Sequence, residues 1–267
     1  TFLIIYTSGT TGFPKGVMHS QRTYLLTAEA FVQRMFFQPD ERVMCVLPLF
    51  HINALMYSLG GAMACGGTLI LIRKFSASAF WQQVAHTRAS EVNVIMSAAA
   101  ILARRPPQEF VPGHRLHKMF LAPLNRDLLD TFQNRFGVQT LIECYGMTEI
   151  PGVLSNPFLG PHKLGSMGCI SPHPDPAIPR PEVRILNDNG QDAAVGEGVG
   201  GARARFQELP ERECRCDPVG IRVVVGEDER PPVGAREGDQ LVVADLDELI
   251  GGRDLHRLAA LALGLDA

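Results

Sequence analysis

The sequence predicts an α/β protein built on a largely parallel sheet with helices on both faces. Over the first 195 residues, short β-prone runs alternate with longer helical patterns, as crossover connections between parallel strands require. The 267 residues are enough to bury a substantial core. Hydrophobic residues make up 46 % of the chain and charged residues 20 %, which is ordinary for a globular protein and excludes wholesale disorder.

The strand candidates are short apolar runs bounded by turn-forming residues. In chain order they are residues 2–6, 42–47, 68–72, 92–96, 118–121, 139–143 and 181–186, with a turn signal at 187–190.

The helix candidates have recognisable beginnings and ends. Ser20 and Ser76 are the predicted N-caps of two helices, and glycines follow the predicted ends of two others. The four candidates are residues 20–37, 53–65 (before Gly66), 76–88 and 125–136 (before Gly137).

Charge and composition exclude several classes of partner. The net charge is 25 − 28 = −3, which gives no general reason to bind nucleic acid or anionic lipid. No apolar run reaches the roughly 18 residues of a membrane span. Six cysteines without a leader-like segment do not suggest a secreted disulfide framework, so we expect a cytoplasmic protein. Because the chain begins with Thr1 inside a β-prone run, we also expect it to be a fragment.

The loop after the first strand candidate combines glycines, hydroxyl groups and one lysine. Glycines allow close backbone approach to an anion, and their exposed N–H groups form an anion-binding nest. Hydroxyl groups add donors for phosphate oxygens, and Lys15 adds a mobile positive charge. The spacing differs from the Walker P-loop, and a plain flexible surface loop is the alternative. This predicted phosphate loop, residues 7–16, contains Thr7, Ser8, Gly9, Thr10, Thr11, Gly12, Lys15 and Gly16.

Three segments, in this order, resemble motifs of the adenylate-forming (AMP-binding) superfamily, in its acyl-CoA synthetase branch. The first is the phosphate loop with its flanks, residues 6–17. The second is Pro48-Leu49-Phe50-His51, and the third is Tyr145-Gly146-Met147-Thr148-Glu149. The segments 150–153 and 160–168 are similar to CoA ligases of the carnitine/crotonobetaine type.

The resemblance implies an acid–thiol ligase that uses ATP, Mg²⁺ and CoA. Such an enzyme activates a small carboxylic acid as an acyl-adenylate, releases pyrophosphate, and transfers the acyl group to CoA. Because catalysis then rests on positioning and charge stabilisation, the residues that hold phosphate and metal matter most. The family roles fall on Lys15 for the leaving pyrophosphate, Thr148 for the α-phosphate, Glu149 for Mg²⁺ and His51 for the acyl pocket.

The same resemblance implies an adenine site. Tyr145 would stack on the base, Gly146 would give clearance beside it, and Met147 would adjoin it. Ala122 and Pro123 would border the base from the other side. Taken alone, His51 and Tyr145 are as easily explained as core or rim residues, and Glu149 as a surface carboxylate.

The resemblance covers residues 1–197, which we predict to be a partial AMP-binding core. Residues 198–267 are predicted to be an atypical tail, either frame-shifted or disordered. From residue 196 onward the net charge is 9 − 15 = −6, Lys is absent and Phe206 is the only aromatic residue.

Two alternatives to a complete ligase stay open. The chain could be a non-catalytic ATP-binding remnant, or an amino-acid adenylation domain that loads a carrier protein. Because the tail lacks the family's catalytic lysine and T-G-D motif, we expect weak binding of Mg·ATP and little thioester formation. The oligomeric state is not predicted.

Overall fold

The computed structural model describes residues 1–7, 13–160, 162–170 and 173–179 and the four short strands at 182–185, 202–205, 222–226 and 243–245. The strands are β1 Leu3–Thr7, β2 Lys15–His19, β3 Arg42–Cys45, β4 Thr68–Ile72, β5 Glu91–Ile95, β6 Lys118–Ala122, β7 Thr140–Ile142, β8 Cys144–Met147, β9 Ile150–Ser155, β10 Cys169–Ile170, β11 Glu182–Ile185, β12 Ala202–Arg205, β13 Arg222–Gly226 and β14 Val243–Asp245.

Five α-helices occur in the described part of the chain. They are α1 Gln21–Met35, α2 Gly60–Cys65, α3 Phe80–Thr87, α4 Met96–Ala103 and α5 Arg126–Asp130. A π-helical segment, Asn53–Leu59, leads into α2, another, Thr131–Arg135, continues α5, and Pro107–Glu109 is a 3-10 turn. Among the described residues, no helix combines the length and hydrophobicity that a membrane span requires.

A seven-stranded sheet forms the centre, in the order β14-β13-β4-β3-β5-β6-β7. All neighbours pair in parallel except β13 and β14, which confirms the predicted parallel sheet. From β3 the chain first adds β4 on one side of β3. It then crosses to the other side of β3, where it adds β5, β6 and β7 in turn. The connections that leave β3 and β5 therefore diverge, and such a switch point opens a crevice at the carboxyl ends of the strands.

Alternate side chains of the strands enter two separate cores. Val43 and Cys45 of β3 join the core under α1 and α2, whereas Met44 joins the core under α3, α4 and α5. Phe120 of β6 similarly lies in the first core, and its neighbour Met119 in the second. This period of two puts helices on both faces of the sheet.

Most of the predicted elements are present. The strand at 68–72 has the predicted bounds. Ser20 caps α1, since its side chain accepts the backbone N–H of Thr23 at 3.0 Å. Gly66 and Gly137 take left-handed conformations where their helices end, with φ of +68° and +71°. The turn predicted at 187–190 lies outside the described residues.

One local prediction was wrong, and two features of the fold were not predicted. Ser76 does not cap α3, because its hydroxyl pairs with that of Ser78 at 3.3 Å and the helix begins only at Phe80 after Ala79. Helix α4 was not predicted: it follows β5 directly, has no side-chain cap, and is apolar on nearly every side. The small antiparallel sheet of β8, β9 and β10 was also not predicted.

A cluster of buried polar side chains lies at the amino ends of the strands of the central sheet. Lys118 pairs with Glu41 at 2.5 Å and donates to the carbonyl of Phe36 at 2.8 Å, and both charged side chains are almost fully buried. Ser90 donates to Glu41 at 2.5 Å. Neither carboxyl oxygen of the fully buried Glu91 has a hydrogen-bond partner among the described residues. Burial, reinforced by Glu41 and opposed by Lys118, raises the pKa of Glu91 well above its usual 4.5.

We predict that Glu91→Gln makes the protein more stable at pH 8 and changes its stability little at pH 5. The folded state keeps the Glu91 proton, while the unfolded state releases it near pH 4.5. Stability should therefore fall as pH rises from there toward the folded-state pKa, by up to about 1.4 kcal/mol per pH unit. Urea unfolding followed by Trp81 fluorescence measures this.

The control for this prediction is Glu109→Gln, which neutralises a half-buried carboxylate that is ion-paired with Arg105. It should leave the pH slope near that of the wild type. Wild-type and Glu91→Gln stability curves that run parallel from pH 5 to pH 8 would contradict the prediction.

Candidate active site

The first hairpin brings the two ends of the phosphate loop together. Strands β1 and β2 are antiparallel, and Thr7 is the register partner of Lys15. The hydroxyl of Thr7 donates to the carbonyl of Lys15 at 3.4 Å, and Lys15 is exposed. The predicted phosphate-binding residues between them, Ser8, Gly9, Thr10, Thr11 and Gly12, lie outside the described residues.

The second hairpin carries the Tyr145–Glu149 motif. Met147 pairs with Ile150, so that Thr148 and Glu149 form a two-residue turn between β8 and β9. The side chain of Glu149 is exposed, and Thr148 is half-buried. The turn thus presents a carboxylate and a hydroxyl to solvent at its tip.

Tyr145 and Met147 lie on the side of this hairpin that faces an apolar cavity of about 270 Å³. Tyr145 is half-buried and Met147 is 42 % exposed, so neither is a core residue. The other residues that line the cavity are Ile150, Val153, Leu154, Met167 and Val183. An aromatic ring on an apolar wall is suited to receive a flat hydrophobic group.

His19 joins the two hairpins. It is the last residue of β2, is only 3 % exposed, and lies close enough to Thr148 for the backbone of that residue to raise the pKa of its imidazole. Burial lowers the pKa of His19, while the Thr148 backbone and the Glu149 charge oppose that shift. The base of the hairpin that holds Thr7 and Lys15 therefore lies against the turn that holds Glu149. His19 was not identified from the sequence, where it is a lone histidine beyond the glycine-rich loop.

Glu143 connects the segment Ala122–Pro123 to the start of β8. Its Oε1 accepts the backbone N–H of Leu124 at 2.8 Å, and its backbone carbonyl accepts the N–H of Asn156 at 2.9 Å. Burial raises the pKa of Glu143, against the effect of the Leu124 N–H. Ala122 and Pro123, which leave the carboxyl end of β6, are thus held beside the strand of Tyr145. Glu143 is a second residue that the sequence did not single out.

His51 stands in the connection between β3 and the π-helical segment Asn53–Leu59. It follows β3 at the carboxyl edge of the sheet, where its N–H donates to the carbonyl of Pro48 at 2.9 Å, and its side chain is exposed. Its ring is 5.2 Å from that of Phe50. No described hydrogen bond or ion pair joins the His51 side chain to Lys15, Thr148 or Glu149. The structure places it at the switch-point crevice.

A single exposed carboxylate suits a particular kind of cation site. Within the described ranges, no three His, Cys, Asp or Glu side chains gather as a metal cage. Mg²⁺ is commonly bound through one or two carboxylates, with waters and substrate phosphates as the other ligands. Glu149, exposed beside the phosphate-loop hairpin, fits that mode of binding.

Gly146 is required by close backbone packing. A Cβ on Gly146 would lie 2.4 Å from the nitrogen and 3.1 Å from the Cα of Gly152, which are main-chain atoms that cannot rotate away. The sequence suggested that this glycine leaves room for a ligand. The structure shows in addition that it leaves room for the opposite strand of its own hairpin.

We predict that Gly146→Ala loosens the β8–β9 hairpin. Overpacking against main chain costs about 1–3 kcal/mol, so the backbone amides of residues 144–155 should exchange hydrogen faster. Gly113→Ala is the control: Gly113 has a φ of +77° but nothing within 4 Å of an added Cβ. If the two variants accelerate exchange in residues 144–155 equally, the packing explanation is wrong.

Comparison with known proteins connects these features. The family model for AMP-binding enzymes matches residues 1–202. The sulfoacetate–CoA ligase of Cupriavidus necator is 34 % identical over 197 residues, which are 73 % of this chain and 37 % of that protein. The crotonobetaine/carnitine–CoA ligase of Escherichia coli O157:H7 is 36 % identical over 57 % of this chain and 30 % of its own length. The chain thus spans roughly a third of these curated relatives.

A solved structure agrees with the sequence relatives. The O-succinylbenzoate coenzyme A synthetase of Bacillus subtilis, crystallised with ATP and a magnesium ion, superposes with a TM-score of 0.58 at 26 % identity, over 72 % of this chain and 38 % of that one. The fold of the described residues is therefore one that adenylate-forming enzymes have. Since the family model covers 202 of the 267 residues, the chain belongs to the AMP-binding enzyme family, as its three motifs predicted.

Proposed function

We propose that this chain carries the nucleotide-binding core of an acid–thiol ligase that activates a small carboxylic acid with ATP and passes the acyl group to CoA. One observation supports this most strongly. The Thr148–Glu149 turn lies against His19, at the base of the hairpin that holds Thr7 and Lys15. The hairpin that carries donors suited to phosphate and the turn that carries a carboxylate suited to a cation are therefore neighbours, with Lys15 four residues from His19 along β2, which supports a shared site for a metal-bound triphosphate.

The proposed chemistry has two steps. A carboxylate oxygen of the acid attacks the α-phosphorus of ATP, which forms the acyl-adenylate and releases pyrophosphate. The thiolate of CoA then attacks the acyl carbon, which forms the thioester and releases AMP. Bound Mg²⁺ would supply charge neutralisation at the phosphate oxygens.

The residues of the chain have separate roles in this proposal. Lys15 offers its ammonium group to the phosphates that leave as pyrophosphate. Thr148 donates its hydroxyl to the α-phosphate, and Glu149 holds the cation. The phosphate loop contributes its backbone amides and the hydroxyls of Thr7, Ser8, Thr10 and Thr11, with Gly9 and Gly12 allowing close approach.

The adenine and acyl sites are proposed on either side of these groups. Tyr145, Gly146 and Met147 offer one wall for the base, and Ala122 and Pro123 the other. For the acyl group we propose the switch-point crevice, which His51 borders. Ile95 and Met96, at the end of the neighbouring strand β5, are 48 % and 43 % exposed there, and would add apolar surface.

The proposal extends to the substrate class, the domain boundary and the location of the protein. Small polar carboxylic acids are proposed as substrates, because similar proteins are named for sulfoacetate and for crotonobetaine or carnitine. We propose that the core domain is residues 1–197 and that residues 198–267 are an atypical tail, which reading the other two frames of the gene would test. We propose a cytoplasmic location, in keeping with the four free cysteines of the described residues.

We predict that Glu149→Gln removes most of the stabilisation that Mg·ATP gives. At about ten times its Kd, a ligand adds about 1.4 kcal/mol, which for a chain of this size raises Tm by roughly 3–6 °C. Losing a cation ligand should weaken Mg·ATP at least as much as losing an outer partner of a metal site, about 10- to 100-fold. The measurement is Tm with ATP, in Mg²⁺ and in EDTA.

The control for Glu149→Gln is Glu109→Gln, which neutralises a half-buried carboxylate that pairs with Arg105. This variant should keep the full Mg²⁺-dependent rise in Tm. If the wild type shows no rise in Tm with Mg·ATP, or if both variants lose it equally, the proposed function fails.

The reaction itself is tested by pyrophosphate release and hydroxamate trapping with a panel of small carboxylic acids. We expect weak acid-dependent pyrophosphate release and little CoA thioester, because residues 196–267 hold neither a lysine nor a T-G-D motif. Robust thioester turnover by the purified chain would overturn the expectation of impairment. Absence of both products despite Mg·ATP binding would favour a non-catalytic ATP-binding protein.

A further inference from the structure

Arg34 is a buried cation that the proposed chemistry does not use. It lies near the carboxyl end of α1 and is only 8 % exposed. Its Nη2 donates to the backbone carbonyl of Gly152 at 2.6 Å. Gly152 belongs to β9, three residues beyond Glu149. A guanidinium removed from water in this way requires strong polar partners, and one of them is the main chain of the second hairpin.

Tyr57 approaches the same glycine from a different element. It belongs to the π-helical segment before α2, is 5 % exposed, and its phenol lies against Gly152. Both polar side chains therefore reach one residue of β9, each from the helical layer that covers this face of the parallel sheet.

The side chains of Arg34 and Tyr57 occupy the space that a β-carbon on Gly152 would need. A Cβ on Gly152 would lie 2.5 Å from Nη1 of Arg34 and 3.2 Å from the hydroxyl oxygen of Tyr57. Gly152 also has a φ of +52°, which favours glycine. On its other side, its nitrogen and Cα pack against Gly146 of β8. Gly152 is thus held between the partner strand and the two helical side chains.

Helix α1 connects this contact to the phosphate loop. It begins two residues after His19, which touches Thr148, and it packs against β9. The second hairpin therefore meets α1 and its start at two points. His19, which precedes the N-cap of α1, lies beside the turn, and Arg34, near the other end of α1, binds Gly152. Because the turn has only two residues, a shift of β9 along α1 would move Glu149 directly.

We infer that Arg34 is a positioning residue for the proposed cation and phosphate contacts. By holding the carbonyl of Gly152, and with Tyr57 as the second support, it sets the position of the Thr148–Glu149 turn relative to the hairpin of Thr7 and Lys15. This inference rests on the proposed function of that turn. It assigns Arg34 no contact with the nucleotide.

The test compares Arg34→Met and Arg34→Lys with Phe132→Leu in the full chain. Phe132 is fully buried in the other core, so its replacement lowers stability without touching the hairpin. Lysine keeps one charged donor for the Gly152 carbonyl, whereas methionine keeps the length and removes the donors. The measurements are the Kd of Mg·ATP, the Kd of ATP in EDTA, Tm, and hydrogen exchange of residues 144–155.

We expect Arg34→Met to weaken Mg·ATP by about 10- to 100-fold, the usual effect of losing an outer partner of a metal site, and to change ATP binding in EDTA much less. Arg34→Lys should recover part of the loss. Phe132→Leu should leave the Kd of Mg·ATP near that of the wild type at a comparable loss of Tm. If Arg34→Met and Phe132→Leu weaken Mg·ATP equally, or if neither weakens it, the inference is wrong.

Hydrogen exchange separates this inference from the proposed function. A wild-type chain that does not bind Mg·ATP overturns the proposed function, and the Arg34 variants then still report on the hairpin. Faster exchange in residues 144–155 of Arg34→Met, but not of Phe132→Leu, supports the role of Arg34 in holding the turn. Unchanged exchange in that segment overturns it.

Discussion

The proposed site depends on the backbone contact between Gly146 and Gly152. Main chain meets main chain there without an intervening side chain, so the two strands of the second hairpin lie at a spacing that no larger residue permits. Arg34 and Tyr57 fix the outer side of the same contact. Because the turn of Thr148 and Glu149 follows directly from this pairing, its position is determined by buried main-chain atoms and not by exposed side chains.

The parallel sheet has two edges with different physical requirements. At the carboxyl edge, the connections after β3 and β6 carry His51 and the Ala122–Pro123 segment, where polar and exposed groups face solvent. At the amino edge, Lys118 and Glu41 form a buried ion pair beside the buried carboxyl of Glu91, whose pKa burial raises. Buried ion pairs recover their desolvation cost only when their geometry is good, so that edge tolerates little change. The parallel topology separates the region that needs accessibility from the region that needs burial.

The sequence was sufficient for the elements that local chemistry determines. Ser20 as a cap and Gly66 and Gly137 as helix ends follow from side-chain and backbone preferences, and the strand at 68–72 follows from its apolar run. Helix α4 has neither a cap nor a polar face, so its pattern does not distinguish it from a buried strand. The β8–β9 hairpin contains Gly146 and Pro151, residues that usually weaken a strand, and its pairing depends on contacts with α1.

The sequence predicted only those residues of the candidate site that lie inside a recognisable motif. The hairpin pairing of Thr7 with Lys15 and the turn of Thr148 and Glu149 lie inside segments that the sequence singled out. His19, Arg34 and Glu143 do not, because a lone histidine, arginine or glutamate has no pattern of its own. Their importance arises from contacts across long stretches of chain, such as the one between Arg34 and Gly152, which no local rule identifies.

The register of the second hairpin limits how its length can vary in evolution. Side chains alternate between the faces of a strand, so one inserted or deleted residue between 144 and 152 would turn Tyr145 away from its cavity and separate the two glycines. The connection between α4 and β6, residues 104–117, has no strand pairing to maintain, and only parts of it, such as Phe110 and Leu116, pack into the core. Natural length polymorphism should therefore accumulate in that connection and be absent from the hairpin.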